Sequence, residues 1–484
     1  MALDRVTGME WFEFGVAGLD TILSGALSRG SLLVVAGHPG SGKTTLASTI
    51  CYRNALNGHK CLYISLQEDK EKLFRNMKRL GIDLYDIEGR GLLGFLKLPL
   101  TADAESIFEV YIGTINRFVL EHRPTIIVVD SITPILKAIE GGTRARAVLQ
   151  NFFFELPKLV NGLVVLVAEI PLAEERIEPG DIEFVADTIL IMRHRVVDKL
   201  LHREIEIRKA RGAPLSIARI FFSIAEGQGI KVYIPPRLAE IPPPKIGIVF
   251  KGVCSESKWM PQLHPGEVVY ISYPPHMFPA MHLIIATANA ILNGGKMLVI
   301  SYEHSPDYIW HMVAETLRMQ LAIEVPIENL KEALGNYVSI EAYSPVAYIF
   351  EELYYLALEA ATRVRPNMMI LLGNPGLGRG REFIGRYGGL VYNLLLYFRK
   401  LGITTILLSP YHRDAYRLFS HIADIIIRTR TIGTKDGEAI VYYIARKGRY
   451  TTAVKDEDFT QCVKEAIEVL SNTIIHHRAS PRNP

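Results

Sequence analysis

Cysteine is scarce in this chain of 484 residues: Cys51, Cys61, Cys254 and Cys462 are the whole complement, and no two form a CxxC pair. Neither a zinc site nor a disulfide framework is signalled. An excess of charge of one sign is lacking as well, since 54 Lys and Arg face 51 Asp and Glu for a net of +3. That balance does not support an obligate, charge-driven nucleic-acid binder, although a local basic face is compatible with it. Long apolar runs are missing too. Stretches such as Gly162–Ala168 fall far short of the ~20 residues that a membrane helix needs. Met1–Phe14 carries charges and no apolar run, so no signal peptide is read there. The expectation is a soluble, cytoplasmic protein without membrane insertion.

Apolar residues make up 49% of the chain and charged residues 22%, which excludes disorder for most of it. Tyr233–Ile246 holds five prolines and favours extended, semi-rigid backbone. The halves on either side are related. Adding 236 to a first-half number takes Gly30 to Gly266, Leu56-Asn57-Gly58 to Leu292-Asn293-Gly294, Lys60 to Lys296 and Ile64-Ser65 to Ile300-Ser301. With small gaps, Arg123-Pro124 matches Arg365-Pro366 and Ala186-Asp187 matches Ala423-Asp424. The pattern reads as a tandem duplication. The expected domains are residues 1–234, a proline-rich linker 235–246, a second domain 247–470 and a frayed, flexible tail 471–484.

In each half, short apolar runs alternate with amphipathic segments. Ser31–Ala36, Cys61–Ser65, Thr125–Asp130, Gly162–Ala168 and Thr188–Met192 read as strands, and residues 43–57 and 70–80 as helices. This alternation predicts an α/β fold: a mostly parallel sheet with helices on both faces.

The first strand runs into Gly37-His38-Pro39-Gly40-Ser41-Gly42-Lys43-Thr44-Thr45, the GxxxxGK[ST] phosphate loop between a strand and a helix. Glycines let the backbone wrap so that successive N–H groups point inward as an anion nest. The helix start adds its positive end. Lys43 is expected to reach the β- and γ-phosphates of ATP, and Thr44 to offer its hydroxyl to Mg²⁺. Ile126–Asp130 is an apolar strand ending in a carboxylate, which would hold Mg²⁺ through water, with Ser131 orienting that water or the γ-phosphate. Ligands sit at the C-terminal strand ends of such sheets. That places Glu68, just after Cys61–Ser65, as the candidate base for the attacking water.

These elements in this order resemble the KaiC-like branch of the RecA/RadA superfamily. The resemblance rests on Gly18-Leu19-Asp20, Arg29-Gly30-Ser31, Gly37–Thr45, Gln67-Glu68 with Arg75-Asn76, Gly81-Ile82-Asp83, Val129-Asp130-Ser131, Phe184–Thr188 and Ile207–Gly212, and covers the first half. It implies two tandem RecA-like P-loop NTPase domains, ATP with Mg²⁺, and a homo-oligomeric ring or filament (a hexamer among the options) with ATP bound between subunits. It also implies that Lys209 and Arg211 act in trans on a neighbour's γ-phosphate. Members of the branch carry two adjacent glutamates after the second strand; here the first is Gln67, which can orient water but cannot accept a proton. Slow hydrolysis through Glu68 is expected.

The second half departs from the pattern. At the phosphate-loop register stands Tyr273-Pro274-Pro275-His276-Met277-Phe278-Pro279-Ala280-Met281, where Lys43 becomes Pro279 and Thr44 becomes Ala280. Prolines remove the N–H donors that a nest needs. Asp130 becomes Leu372. A pseudo-ATPase domain without autokinase activity is expected. Lys447-Gly448-Arg449 reads as a relic of the Lys-x-Arg pair. Basic loops Leu136–Ala147 and Leu372–Gly389 leave a polymer or an unidentified protein partner open. Three readings compete: a KaiC-like regulatory or assembly switch, a RadA-like DNA-binding ATPase of recombination, and an ATP-binding structural protein without turnover.

Overall fold

Strands buried on both faces read as unbroken apolar runs, because a parallel sheet is covered by helices on each side. Ser31–Gly37 is such a strand, buried at every position. It is β1, the strand from which the first site is built. The computed structural model describes residues 11–98, 111–138, 143–170, 185–197, 199–253, 262–321, 325–373, 381–434, 437–447 and 452–479. Contacts divide the chain into two compact units, Met1–Ile234 and Pro235–Pro484. Both are RecA-like α/β domains.

In the first unit, α1 (Ala17–Ile22) precedes β1, followed by α2 (Lys43–Leu56), β2 (Cys61–Ser65), α3 (Lys70–Arg79), α4 (Leu84–Gly89) and β3 (Leu93–Lys97). Then come α5 (Gly113–His122), β4 (Ile126–Asp130), α6 (Thr133–Ala138), α7 (Thr143–Leu159), β5 (Leu163–Glu169), β6 (Thr188–Val197), β7 (Leu200–Ala210), β8 (Arg219–Ala225) and β9 (Gly229–Tyr233). They form a nine-stranded sheet in the order β3-β2-β4-β5-β1-β6-β7-β8-β9. The strands from β3 to β6 pair in parallel, and β6 to β9 form an antiparallel extension. Alternate residues of β1 feed opposite cores: Leu33 and Val35 pack with Leu46 and Ile50 of α2, whereas Leu32 and Val34 pack with Phe153 and Leu156 of α7.

The second unit repeats this plan. Its elements are β10 (Val268–Tyr273), α8 (Ala280–Leu292), β11 (Met297–Ser301), α9 (Pro306–Leu321), α10 (Ile327–Leu334), β12 (Val338–Ala342), α11 (Phe350–Val364), β13 (Met368–Leu372), α12 (Arg381–Leu401), β14 (Thr404–Pro410), α13 (Arg413–Ile422), β15 (Ile425–Thr434), β16 (Gly437–Arg446), β17 (Thr452–Lys455) and α14 (Asp456–Ala479). The sheet order is β12-β11-β13-β14-β10-β15-β16-β17. Between the two sheets, the proline-rich stretch from Pro235 to Lys245 contains no helix or strand.

One aspartate sets the register at the start of the central strand in both units. Asp187 Oδ2 accepts from the Leu32 N–H at 3.0 Å, and Asp424 Oδ2 accepts from the Val268 N–H at 2.9 Å. The backbone carbonyl of Asp187 accepts from Arg211 N, and that of Asp424 accepts from Lys447 N. Lys447 is therefore the counterpart of Arg211, and Ala445, opposite Ile426 as Lys209 is opposite Ile189, is the counterpart of Lys209. The relic Lys-x-Arg pairing expected of Lys447 and Arg449 is thus out of register by two residues, and Arg449 lies outside the described residues.

Two further expectations change. Residues 471–479 continue α14 instead of fraying, and Ile474 is buried in line with Val463, Ile467 and Leu470. The remainder of the tail lies outside the described residues. Cys462 is disulfide-bonded, which the cysteine spacing did not signal, while Cys51 and Cys61 are free and buried. Cysteine spacing carries no information about pairs brought together by tertiary folding.

Asp424 and Arg399 form an ion pair with side chains only 19% and 11% exposed, against 27% and 60% for Asp187 and Arg211. Removing one partner of a buried pair strands the other charge. Asp424→Ala is expected to destabilise the second unit by about 3 kcal/mol. Asp187→Ala, whose guanidinium partner can turn to water, is expected to cost the first unit about 1–2 kcal/mol. Urea unfolding followed by hydrogen exchange in each sheet measures both; equal losses would contradict the ranking.

Candidate functional site

The loop after β1 wraps because its glycines permit it. Gly40 and Gly42 have φ of 76° and 100°, the left-handed region that side chains disfavour. At Gly42 a Cβ would also meet Ile224 Cδ1 at 2.8 Å, and at Gly37 one would lie 2.1 Å from the Met192 carbonyl oxygen. The loop therefore packs directly on β6 and β8, with no room for a side chain. His38, Pro39 and Gly40 make its outer turn; His38 Nδ1 lies 3.3 Å from the Ile170 carbonyl oxygen. Ser41 is buried and its hydroxyl has no partner. Thr45 is buried one position beyond Thr44 on α2.

Lys43 is 6% exposed, and its Nζ donates to the His38 carbonyl at 2.9 Å. Burial lowers its pKa, and the carboxylates of Glu169 and Asp130 oppose that. An ammonium group is costly to bury without partners. Here the loop carbonyl and two strand-end carboxylates supply them.

Asp130 ends β4, and its Oδ2 accepts from the Tyr63 hydroxyl at 2.7 Å. Burial raises the carboxyl's pKa, opposed by the Tyr63 hydroxyl, the Thr44 hydroxyl and the Lys43 ammonium, while Glu68 adds to the rise. Ser131 is buried beside it with its hydroxyl unpartnered, after a cis Asp130–Ser131 peptide. Glu68 is held at the end of β2 by Ser65, whose Oγ accepts from the Glu68 N–H at 3.1 Å and donates to its carbonyl at 2.6 Å. The Glu68 carboxylate accepts from Asn76 Nδ2 at 3.4 Å and lies 3.4 Å from Lys72 Nζ. Gln67 is exposed.

Strand order explains the convergence. β2, β4, β5 and β1 are successive neighbours, so their C-terminal ends bring Glu68, Asp130, Glu169 and the loop to one edge. A wrapped loop with an unsatisfied buried hydroxyl, a cation, a threonine hydroxyl and a carboxylate form a donor set suited to a polyphosphate and a hard divalent cation.

Lys209 and Arg211 are not brought to this edge. Lys209 lies opposite Ile189, which pairs with Val34, three residues before Gly37 and so about 10 Å down the strand from the loop. The β6–β7 register shifts so that Ile189 faces Lys209 and Leu190 faces Ile207, skipping Arg208. β7 ends at Ala210, and Arg211 folds back to pair with Asp187 at 3.2 Å. Lys209 thus lies on β7, whereas Arg211 lies past its end.

Sequence reasoning missed Tyr63 and Glu169. Tyr63 carried no signal, being one aromatic in an apolar strand. Glu169 did carry one: like Asp130, it is a carboxylate that ends an apolar core strand.

The corresponding edge of the second unit is filled differently. The segment after β10 turns through a Met277 N–H to Pro274 carbonyl bond of 3.0 Å, and Pro279 precedes α8. Phe278 packs edge-on against His304 and Tyr308, with ring centroids at 5.2 and 5.7 Å. The Ser301 hydroxyl accepts from the His304 N–H at 2.9 Å, as Ser65 does from Glu68, so His304 stands at the Glu68 position. Leu372 is buried at the end of β13, and Pro410 faces Tyr273 as Glu169 faces Gly37. The side chains of Lys137, Arg144, Arg146, Arg379, Arg381 and Arg386 lie outside the described residues.

Residues 12–237 match the family model of the KaiC ATPase. The circadian clock protein KaiC3 of Synechocystis sp. (strain ATCC 27184 / PCC 6803 / Kazusa) is 28% identical over 253 residues, covering 49% of this chain and 48% of that protein. The circadian clock oscillator protein KaiC of Acaryochloris marina (strain MBIC 11017) is 26% identical over 199 residues, 41% of this chain and 38% of its own length. KaiC2 of the same Synechocystis strain is 27% identical over 220 residues, 44% and 37% respectively. The chain thus matches half or less of the length of these relatives. Among the described residues no helix is long and apolar enough to cross a membrane.

Tyr63→Phe removes one of the donors that keep Asp130 ionised and oriented. It is expected to raise the Mg²⁺ concentration needed for half-maximal nucleotide binding by roughly tenfold, the scale for groups that hold a metal-binding carboxylate. Titration of a fluorescent ATP analogue at varied Mg²⁺ measures this; an unchanged midpoint would show that Asp130 does not depend on the tyrosine.

Proposed function

Residues 12–237 form a KaiC-like ATPase domain of the RecA superfamily, and from that premise we propose that the chain is a nucleotide-dependent regulatory or assembly switch with one working site. The first unit binds ATP with Mg²⁺ and hydrolyses it slowly between copies of the chain in a ring or filament. The second unit is a non-catalytic scaffold or partner platform without autokinase activity. One observation carries this reading. Lys43, Thr44, Asp130 and Glu68 gather at the strand ends of the first sheet, where the second has Pro279, Ala280, Leu372 and an edge-on Phe278–His304 contact.

The residues divide the work. Backbone N–H groups from Gly40 to Thr44 and the start of α2 cradle the β- and γ-phosphates, and Lys43 exchanges the His38 carbonyl for phosphate oxygen. Thr44 and, through water, Asp130 would hold Mg²⁺, which would supply neutralisation of charge on the transferring phosphoryl group. Glu68 accepts the proton of the attacking water, and Ser131 orients it. Gln67 contributes a hydrogen bond but no base, consistent with slow turnover. Lys209 and Arg211 sit too far down their own sheet to reach the loop, which supports their acting on a neighbouring copy.

Lys43→Ala is expected to abolish ATP binding. Glu68→Gln is expected to keep binding but reduce phosphate release by about 100-fold or more, the scale of general-base catalysis. Mixing Lys43→Ala with Arg211→Ala protein is expected to restore part of the activity. Full turnover in Glu68→Gln would remove the base assignment, and no restoration in a verified mixed oligomer would remove the action in trans.

A further inference from the structure

His194 lies on the side of the phosphate loop away from Asp130 and Glu68. It belongs to β6, and β1 separates β6 from β5 and β4. Met192 pairs with Gly37 at the top of β1, so His194 stands two residues further on, beside the loop itself. Its Cε1 is 4.0 Å from where a Cβ on Gly40 would sit. Its Nδ1 is buried and has no partner. Arg203 of β7 stands directly across the strand pair, and His38 of the loop and Lys43 of α2 also act on it electrostatically. Burial first, then these three neighbours, lower its pKa below that of an ordinary imidazole. The imidazole thus has a buried, unsatisfied ring nitrogen beside Arg203 and at the border of the nest.

We propose that His194 hydrogen-bonds the phosphates of the bound nucleotide from the β6 side of the loop and takes up a proton as they arrive. The inference rests on the nucleotide reading of the same loop. Polyphosphate brings negative charge to a group whose charged form is disfavoured by burial and by cations. Binding therefore raises the pKa of His194, and linkage requires that nucleotide bind more tightly as pH falls toward the bound-state pKa. Lys43 then supplies a fixed charge on the Asp130 side, and His194 a pH-dependent one on the other.

The test is calorimetric titration of the full chain with ADP and Mg²⁺ at pH 7, in buffers of different ionisation enthalpy. The slope of the observed heat against that enthalpy counts protons taken up. Wild type is expected to take up more protons per ADP than His194→Asn or His194→Gln, and the difference cancels exchange by ADP and Lys43. Between pH 8 and pH 6 the wild-type affinity is expected to gain roughly tenfold over that of the variants, the scale of one charge-assisted hydrogen bond. His194→Gln, which can donate without titrating, is expected to lose the uptake and with it the gain in affinity toward pH 6. Equal proton counts in wild type and both variants, with binding intact, would overturn the role of His194 alone. No binding by wild type in any buffer would overturn the nucleotide reading and this role with it.

Discussion

A single buried ammonium organises the first site. Lys43 is almost wholly out of water at the N-terminus of a helix whose own dipole is positive there. Such a charge survives only with partners, and every other feature of the edge supplies them: the His38 carbonyl, the carboxylates that end β4 and β5, and the polyphosphate that the nest is shaped to accept. The carboxylates have a matching need. Burial pushes Asp130 toward its neutral form, and Lys43 and Tyr63 draw it back. Cation and anions hold each other ionised at the place where nucleotide and metal would meet.

The second unit is a natural deletion of that charge. With proline at the lysine position no ammonium stands there, and the counterparts of Asp130, Glu169 and Glu68 are Leu372, Pro410 and His304. Phe278 packs edge-on against His304 where the site would open. What persists is the part of the design that does not depend on the lysine: strand order, crossover helices, and the aspartate that pins the start of the central strand. Architecture and the residues at the edge are therefore separable in this chain: both units keep the first, and the second unit carries different residues at the second.

The sequence displayed some of this directly. Buried parallel strands are unbroken apolar runs, so β1, β2, β4 and β5 could be read, and with them the loop, Asp130 and Glu68. The proximity of Glu169 to Lys43 could not be read so, because it depends on β5 lying beside β1 although more than 100 residues separate them along the chain. Tyr63 was hidden for the same reason, its partner being on a neighbouring strand. The pairing of Arg211 with Asp187 was hidden likewise, because it joins the segment after β7 to the one before β6. The error at 471–479 had a different origin: polar residues masked a helical spacing, Val463, Ile467, Leu470 and Ile474, that continues the buried face of α14.

One of the two copies of the fold is proposed to hold a working nucleotide site. Saturating the full chain with a radiolabelled, non-hydrolysable ATP analogue in Mg²⁺, and counting the label bound per chain, tests it most directly. One nucleotide per chain, and none in Lys43→Ala protein, is the predicted result. Two per chain, or label retained after Lys43→Ala, would contradict it.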